Sequence, residues 1–193
     1  MGVEFELKYK ATPAILEQLQ QILSGSTKHF EMRTTYYDTV HRLLSGRHWT
    51  LRRRLENGTS ICTFKTPAGG GARREFEVEC DDITEAVPML CKLSGEIVLA
   101  GFASLGLQEV CGAAFHRIAI TVQLEGAVAE VALDRGVLLG GGKELPFCEV
   151  EVELKSGDPA AVSAFGQQLS RRFGLEPEQQ SKFRRASLLA GGN

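Results

Sequence analysis

The stretch Val3-Glu4-Phe5-Glu6-Leu7-Lys8-Tyr9-Lys10 alternates polar and apolar residues without a miss, which is the period of a β-strand with two different surroundings. Phe5, Leu7 and Tyr9 share one face, and Glu4, Glu6 and Lys8 share the other. The same design returns near the other end of the chain. In Phe147 to Lys155, Val150, Val152 and Leu154 oppose Glu149, Glu151, Glu153 and Lys155. Between these ends the pattern recurs at residues 49–55, 61–65, 73–80 and 115–122. Leu51, Arg53 and Leu55 oppose Thr50, Arg52 and Arg54; Cys62 and Phe64 oppose Thr63 and Lys65.

The charges sort by strand. The strands at 3–9, 75–79 and 147–155 are acidic, whereas 49–55, 61–65 and Arg117 are basic. A face left in water would tolerate any mixture, so this sorting points to charged faces that look at one another. Helical segments are available to cover the apolar faces. Thr12-Pro13 is a cap and first-position pair for a helix over Ala11 to Leu23, Ala160 to Phe173 is a second that ends at Gly174, and Ala86 to Leu93 and Phe102 to Leu107 read as short ones. Turn signals at Asn57-Gly58, Glu125-Gly126 and Gly140-Gly141-Gly142 separate the strands. The expectation is an α+β fold in one domain spanning 1–193: a closed antiparallel β-barrel, apolar outside under helices and charged inside.

Such a lumen would gather Glu4, Glu6, Glu75, Asp134, Glu149 and Glu151 against Lys8, Arg52, Arg54, Lys65 and Arg117. Charges removed from water cost several kcal/mol each unless paired. A structural ion-pair lattice is the plainer explanation; a ligand that is itself highly charged explains more. Carboxylates suit Mg²⁺ or Mn²⁺, and arginine forks and lysines suit phosphate oxygens, so both sets facing one cavity describe a metal–polyphosphate site.

Bulk properties narrow the partners. Net charge is -2 and the isoelectric point is about 6.1, which argues against nucleic-acid binding. No apolar run approaches the roughly 18 residues of a membrane span, and the N-terminus enters a charged strand with no signal-peptide pattern. Cys62, Cys80, Cys91, Cys111 and Cys148 are odd in number and lack metal-ligand spacing, as expected of reduced residues in a cytoplasmic protein. His29, His41, His48 and His116 stand singly and are read as bystanders.

Several motifs together resemble one family. Glu4-Phe5-Glu6-Leu7-Lys8 is similar to the Glu-x-Glu-x-Lys signature of the triphosphate tunnel metalloenzymes, the CYTH superfamily. Tyr36-Tyr37-Asp38-Thr39, Leu51-Arg52-Arg53-Arg54, Thr63-Phe64-Lys65, Arg74-Glu75-Phe76-Glu77, Leu133-Asp134-Arg135-Gly136, Glu149 to Leu154 and Ser181-Lys182 match further segments in order. The likeness is greatest to bacterial inorganic triphosphatases, whose CYTH domain often precedes a helical, histidine-rich CHAD domain that these 193 residues do not contain. The resemblance implies an eight-stranded tunnel that hydrolyses inorganic triphosphate to diphosphate and phosphate with one or two divalent metals, Mg²⁺ or Mn²⁺. It implies that Lys8, Arg52, Arg54, Lys65, Arg117 and Lys182 hold phosphate oxygens. Glu4, Glu6, Asp134, Glu149 and Glu151 would hold metal, with Glu153 a further candidate. Lys8, Arg52, Arg54 and Glu151 would carry the catalysis, with water oriented and activated by a second metal or by a carboxylate of the last strand. Thiamine triphosphatase, class IV adenylate cyclase and a non-catalytic polyphosphate-binding module remain alternatives, and oligomeric state is open. One departure stands out. Phe115 occupies a position where many relatives carry lysine, so a phosphate contact must come from elsewhere, with Arg73 and Lys182 as candidates.

Overall fold

The alternating N-terminal stretch forms two strands rather than one. In the computed structural model, which describes the backbone of residues 3–69 and 72–191 and not the side chains of Val3, Glu4 and Ala72, Phe5 separates β1 (Val3–Glu4) from β2 (Glu6–Lys10). Glu4 pairs with Arg73, while Glu6 pairs with Glu153. Neighbouring segments of one short stretch thus join opposite sides of the sheet.

The remaining elements follow in order: α1 (Pro13–Ile22), β3 (Ser26–Thr39), β4 (Thr50–Glu56), β5 (Thr59–Gly69), β6 (Ala72–Glu79), α2 (Ile83–Ser94), α3 (Val98–Ala103), β7 (Leu107–Leu124), β8 (Ala127–Gly140), β9 (Lys143–Gly157), α4 (Pro159–Phe173), β10 (Glu176–Pro177) and α5 (Lys182–Leu189). The strands form one 10-stranded sheet in the order β1-β6-β5-β4-β3-β7-β8-β9-β2-β10, and every recorded pairing is antiparallel. This corrects the expected closed eight-stranded barrel. The ladder runs from β1 to β10 without closing on itself, because the break at Phe5 divides the strand that would have closed it, and β10 adds an edge beyond β2. Consecutive Cα atoms lie about 3.8 Å apart, so Glu4 and Glu6 still bring the β6 and β9 sides of the sheet together across one residue. The sheet therefore curls around a cavity without hydrogen-bonded closure.

The expected outward apolar face holds for two of three cores; the third lies on the inner face, where α5 enters beside the cavity-lining residues. α1 and α4 place Leu16, Leu19, Val162 and Leu169 on Val131, Val150 and Val152. α2 and α3 place Val87, Leu90 and Leu99 against Leu51, Cys62 and Phe64, together with Trp49. α5 sets Ala186 against Ala113, Phe115, Leu138 and Phe147. No helix among the described residues is long and apolar enough to cross a membrane.

Boundaries moved where glycine or a cap decided them. The helix expected over residues 102–107 lies at Val98–Ala103, and β7 already begins at Leu107 after Gly106, which adopts φ 95°. α2 begins at Ile83 because the Asp82 carboxylate accepts from the Thr84 and Glu85 amides at 2.6 and 3.1 Å. β8 runs through Gly136, where a Cβ would stand 2.2 Å from the Ala114 carbonyl oxygen, so this glycine permits close strand approach instead of ending the strand.

Helix α4 approaches β2 closely at Gly166. A Cβ there would lie 2.4 Å from Leu7 Cδ1 and 2.7 Å from Tyr9 Oη. Gly166→Val is expected to force the helix off the strand and lower stability by about 2 kcal/mol, read by urea unfolding.

Candidate active site

Inward-facing side chains from β2 to β9 and from the start of α5 line a cavity of about 350 Å³. Among the described residues of the lining nine are cationic, namely Lys8, Lys28, Arg52, Arg54, Lys65, Arg73, Arg117, Lys155 and Lys182, and seven are glutamates. Strand periodicity puts them there: Thr50, Arg52 and Arg54 project from one face of β4, opposite to buried Leu51.

The wall formed by β4, β5 and β6 is the basic one. Arg52 Nη2 lies 3.2 Å from Glu75 Oε1 and 3.7 Å from Glu77 Oε1, and Lys65 Nζ lies 3.0 Å from Glu75 Oε2. Arg73 donates to the His48 carbonyl at 2.7 Å, which fixes it at the rim. Arg54 Nε donates to Thr34 Oγ1 at 3.1 Å, and its nearest carboxylate, Glu56, is 3.6 Å away. Burial, together with the like charges of Arg52 and Arg117, lowers its pKa to about 10.

The opposite wall is an acidic cluster around one lysine. Lys182 Nζ lies 2.8 Å from Asp134 Oδ2 and 2.8 Å from Glu151 Oε1, and also contacts Glu149 Oε2. Arg117 adds a two-pronged bond to Asp134 at 2.7 Å per arm and a 2.5 Å contact to Glu151 Oε2. Arg185 contacts Glu149 Oε1 and reaches Glu178 Oε2 at 3.5 Å. Asp134 and Glu149 are fully buried. Burial opposes the charge of Glu151, but Lys182, Arg117 and Lys8 outweigh it and hold its carboxyl well below the usual carboxylate range. Burial also opposes the Lys182 charge, yet Asp134, Glu151 and Glu149 raise its pKa. Glu149 is pushed upward by burial, against the pull of Lys182 and Arg185.

The structure brings Glu6, Lys8, Arg52, Arg54, Lys65, Arg117, Glu151, Glu153 and Lys182 to the cavity lining. Asp134 and Glu149 lie behind that lining, beneath Lys182 and Arg117. Glu4 falls in β1, but its side chain lies outside the described residues. Sequence reasoning missed Lys28, Glu56, Glu130, Lys155 and Arg185. The first four follow from period two in β3, β4, β8 and β9. Arg185 could have been found from its spacing of three from Lys182, which puts both on one helix face. None of the four histidines lines the cavity, although His29 and His116, which the sequence gives no reason to pair, have ring centroids 5.4 Å apart. Among the five cysteines, burial raises Cys62 to about 11 and Cys111 to about 12, so neither is a nucleophile at neutral pH. Trp49 packs against Phe64 and Phe102 in the outer core.

One oxygen from each of Asp134, Glu149 and Glu151 lies within 4.8 Å of the others. An all-oxygen donor set of this kind fits Mg²⁺ or Mn²⁺ by chemistry, although the Lys182 ammonium already touches all three residues.

A family model described as the CYTH domain matches residues 2–187. The chain belongs to this family. It is 29% identical over 194 residues to an inorganic triphosphatase from Haemophilus influenzae, an alignment covering 96% of this chain and 54% of that protein. It therefore spans about half of that relative's length. It is 31% identical over 196 residues to a thiamine-triphosphatase from Macaca fascicularis, covering 92% and 80% of the two chains. Among solved structures, PH1819 from Pyrococcus horikoshii shares the fold with a TM-score of 0.62 at 24% identity over 93% of this chain and 96% of that one. HpAC1 from Hippeastrum, described with a dominant triphosphatase activity, does so with a TM-score of 0.65 at 19% identity over 98% and 97%.

The Glu151 shift has a sign. A folded pKa below the unfolded value stabilises the protein above the unfolded pKa of about 4.3, and that stability is lost as pH falls through the lower folded value. Glu151→Gln is expected to flatten the acid limb of the stability curve, measured by urea unfolding from neutral pH downward. Wild-type and variant curves of the same shape would contradict the pairing.

Proposed function

We propose that the cavity binds inorganic triphosphate and hydrolyses it to diphosphate and phosphate with Mg²⁺ or Mn²⁺. The observation that carries this reading is Arg54. Its guanidinium is buried, crowded by Arg52 and Arg117, and lowered in pKa, which is the state of a cation in place for an anion. Lys8, Arg52, Lys65, Arg73 and Lys28 face the same space. A volume of about 350 Å³ is at the small end of ligand pockets and suits a compact polyanion. Relatives named for triphosphatase activity support the same reading.

Phosphoryl transfer to water needs positioning and neutralised charge more than covalent help from the protein. The basic wall would fix the phosphate chain through Arg52, Arg54 and Lys65, with Lys8 and Arg117 on the opposite side. Water would form the new P–O bond at a terminal phosphorus as the anhydride P–O bond breaks, and diphosphate would leave. Glu151, held well below the usual carboxylate range, is a weak base, so its part is to orient that water. A divalent ion, where bound, would neutralise charge developing on the phosphate oxygens, and Asp134, Glu149, Glu151 and Glu6 are the residues to hold it. The free cysteines suit a cytoplasmic enzyme.

A second reading has its own support. Phe30, Met32 and Phe183 form an apolar part of the lining, which an organic substituent on the triphosphate could cover, and one relative is named a thiamine-triphosphatase.

Phosphate release from inorganic triphosphate, thiamine triphosphate and ATP, each with Mg²⁺, Mn²⁺ or chelator, tests both. Metal-dependent release from inorganic triphosphate is the expected result. Preference for thiamine triphosphate or ATP favours the second reading, and tight metal-dependent binding without turnover makes the cavity a polyphosphate receptor. Arg52→Ala is expected to lower kcat by roughly 10²-fold, as for the loss of one preorganised donor.

A further inference from the structure

Lys182 stands where a metal ion would. Its ammonium nitrogen lies in ion-pair contact with the carboxylates of Asp134, Glu149 and Glu151, the same three residues whose oxygens gather within 4.8 Å. Its Nζ also lies 5.3 and 5.4 Å from the ring centroids of Phe115 and Phe147, so aromatic faces close the remaining side of its seat. With Arg117 and Arg185, the three carboxylates face three protein cations. Counting Glu178, which Arg185 also reaches at 3.5 Å, these contacts are within one charge of balance before any ion arrives, and a divalent ion added to them would leave a net positive charge. At the same time Lys182 borders the cavity, so its ammonium has open space toward which to turn.

We propose that Lys182 is a resident counter-ion of the acidic cluster and that a divalent metal takes its place by exchange. The inference rests on the triphosphatase reading of the cavity and deepens it. Without metal the ammonium bridges the three carboxylates and holds the site together. When metal enters, the ammonium leaves the carboxylates and turns to the phosphate chain. Metal binding and substrate binding are then coupled: metal alone binds weakly because it must displace a buried cation, and triphosphate strengthens it by giving that cation a new partner. Both α5 cations, Lys182 and Arg185, contact Glu149, so the exchange is felt along the helix.

The test titrates the chain with Mn²⁺ alone, by calorimetry and by loss of the free-ion electron paramagnetic resonance signal. Lys182→Met should bind Mn²⁺ more tightly than wild type by on the order of tenfold, and the gain should vanish in Lys182→Met/Asp134→Asn. Equal or weaker binding by Lys182→Met overturns the proposal, as does a gain that survives in the double variant. If Lys182→Met is unfolded without metal, recovery of a cooperative melt on adding Mn²⁺ supports the same seat, and no recovery overturns it. The titration contains no triphosphate, so its outcome is separate from that of the hydrolysis assay.

Discussion

Asp134 and Glu149 have no exposed surface, and two carboxylates in that position must be matched by cations or remain protonated. Much of the architecture answers this requirement. Arg117 reaches Asp134 and Glu151 from β7, and Lys182 and Arg185 reach down from α5. The helix can deliver them only by lying close to the sheet. A Cβ on Gly140 would stand 2.3 Å from the Ala186 carbonyl, and Ala186 itself is fully buried. The packing of the last helix and the electrostatics of the acidic wall are therefore one interaction, seen first as volume and then as charge.

The two walls differ in how far they satisfy themselves. The acidic wall pairs most of its charge internally: Glu151 is held low and Lys182 high, while burial pushes Glu149 up. The basic wall shares Glu75 between Arg52 and Lys65 and leaves Arg54 crowded by like charges. Among the described residues the lining carries more cations than carboxylates. A polyanion spanning the cavity would relieve the basic wall directly, and it would offer the cations of the acidic wall a second set of oxygens. A cavity balanced on both sides would have no such preference.

The faces of the strands were legible because period two is a local property. Leu51 with Arg52 and Val150 with Glu151 declare inside and outside from neighbours alone. Pairing was not legible in the same way. Residues 3–10 read as one strand because their alternation is unbroken, yet Glu4 pairs toward β6 and Glu6 toward β9, and nothing in the alternation at Phe5 marks the division. Lys182 was legible as a site residue but not as the centre of the acidic cluster, because its partners lie 31 to 48 positions away in sequence on other elements. Arg185 escaped for the same reason. Short-range signals name the face of an element, and long-range partners decide what that face meets.

Phe115 shows how the departure from the resembling family is accommodated. Its ring is buried and lies 5.9 Å from the Arg54 guanidinium carbon, 5.8 Å from that of Arg117 and 5.3 Å from Lys182 Nζ. A lysine at this position would place a fourth cation among three that already share the available carboxylates, and like charges at such separations in a poorly solvated site repel strongly. A ring adds no charge, and where its face is presented to a cation it attracts it. Phe115 therefore gathers the cations that remain. The cations around the ring come from β4, β7 and α5, and the share supplied by α5, Lys182 with Arg185, depends on the docking of that helix against the acidic wall.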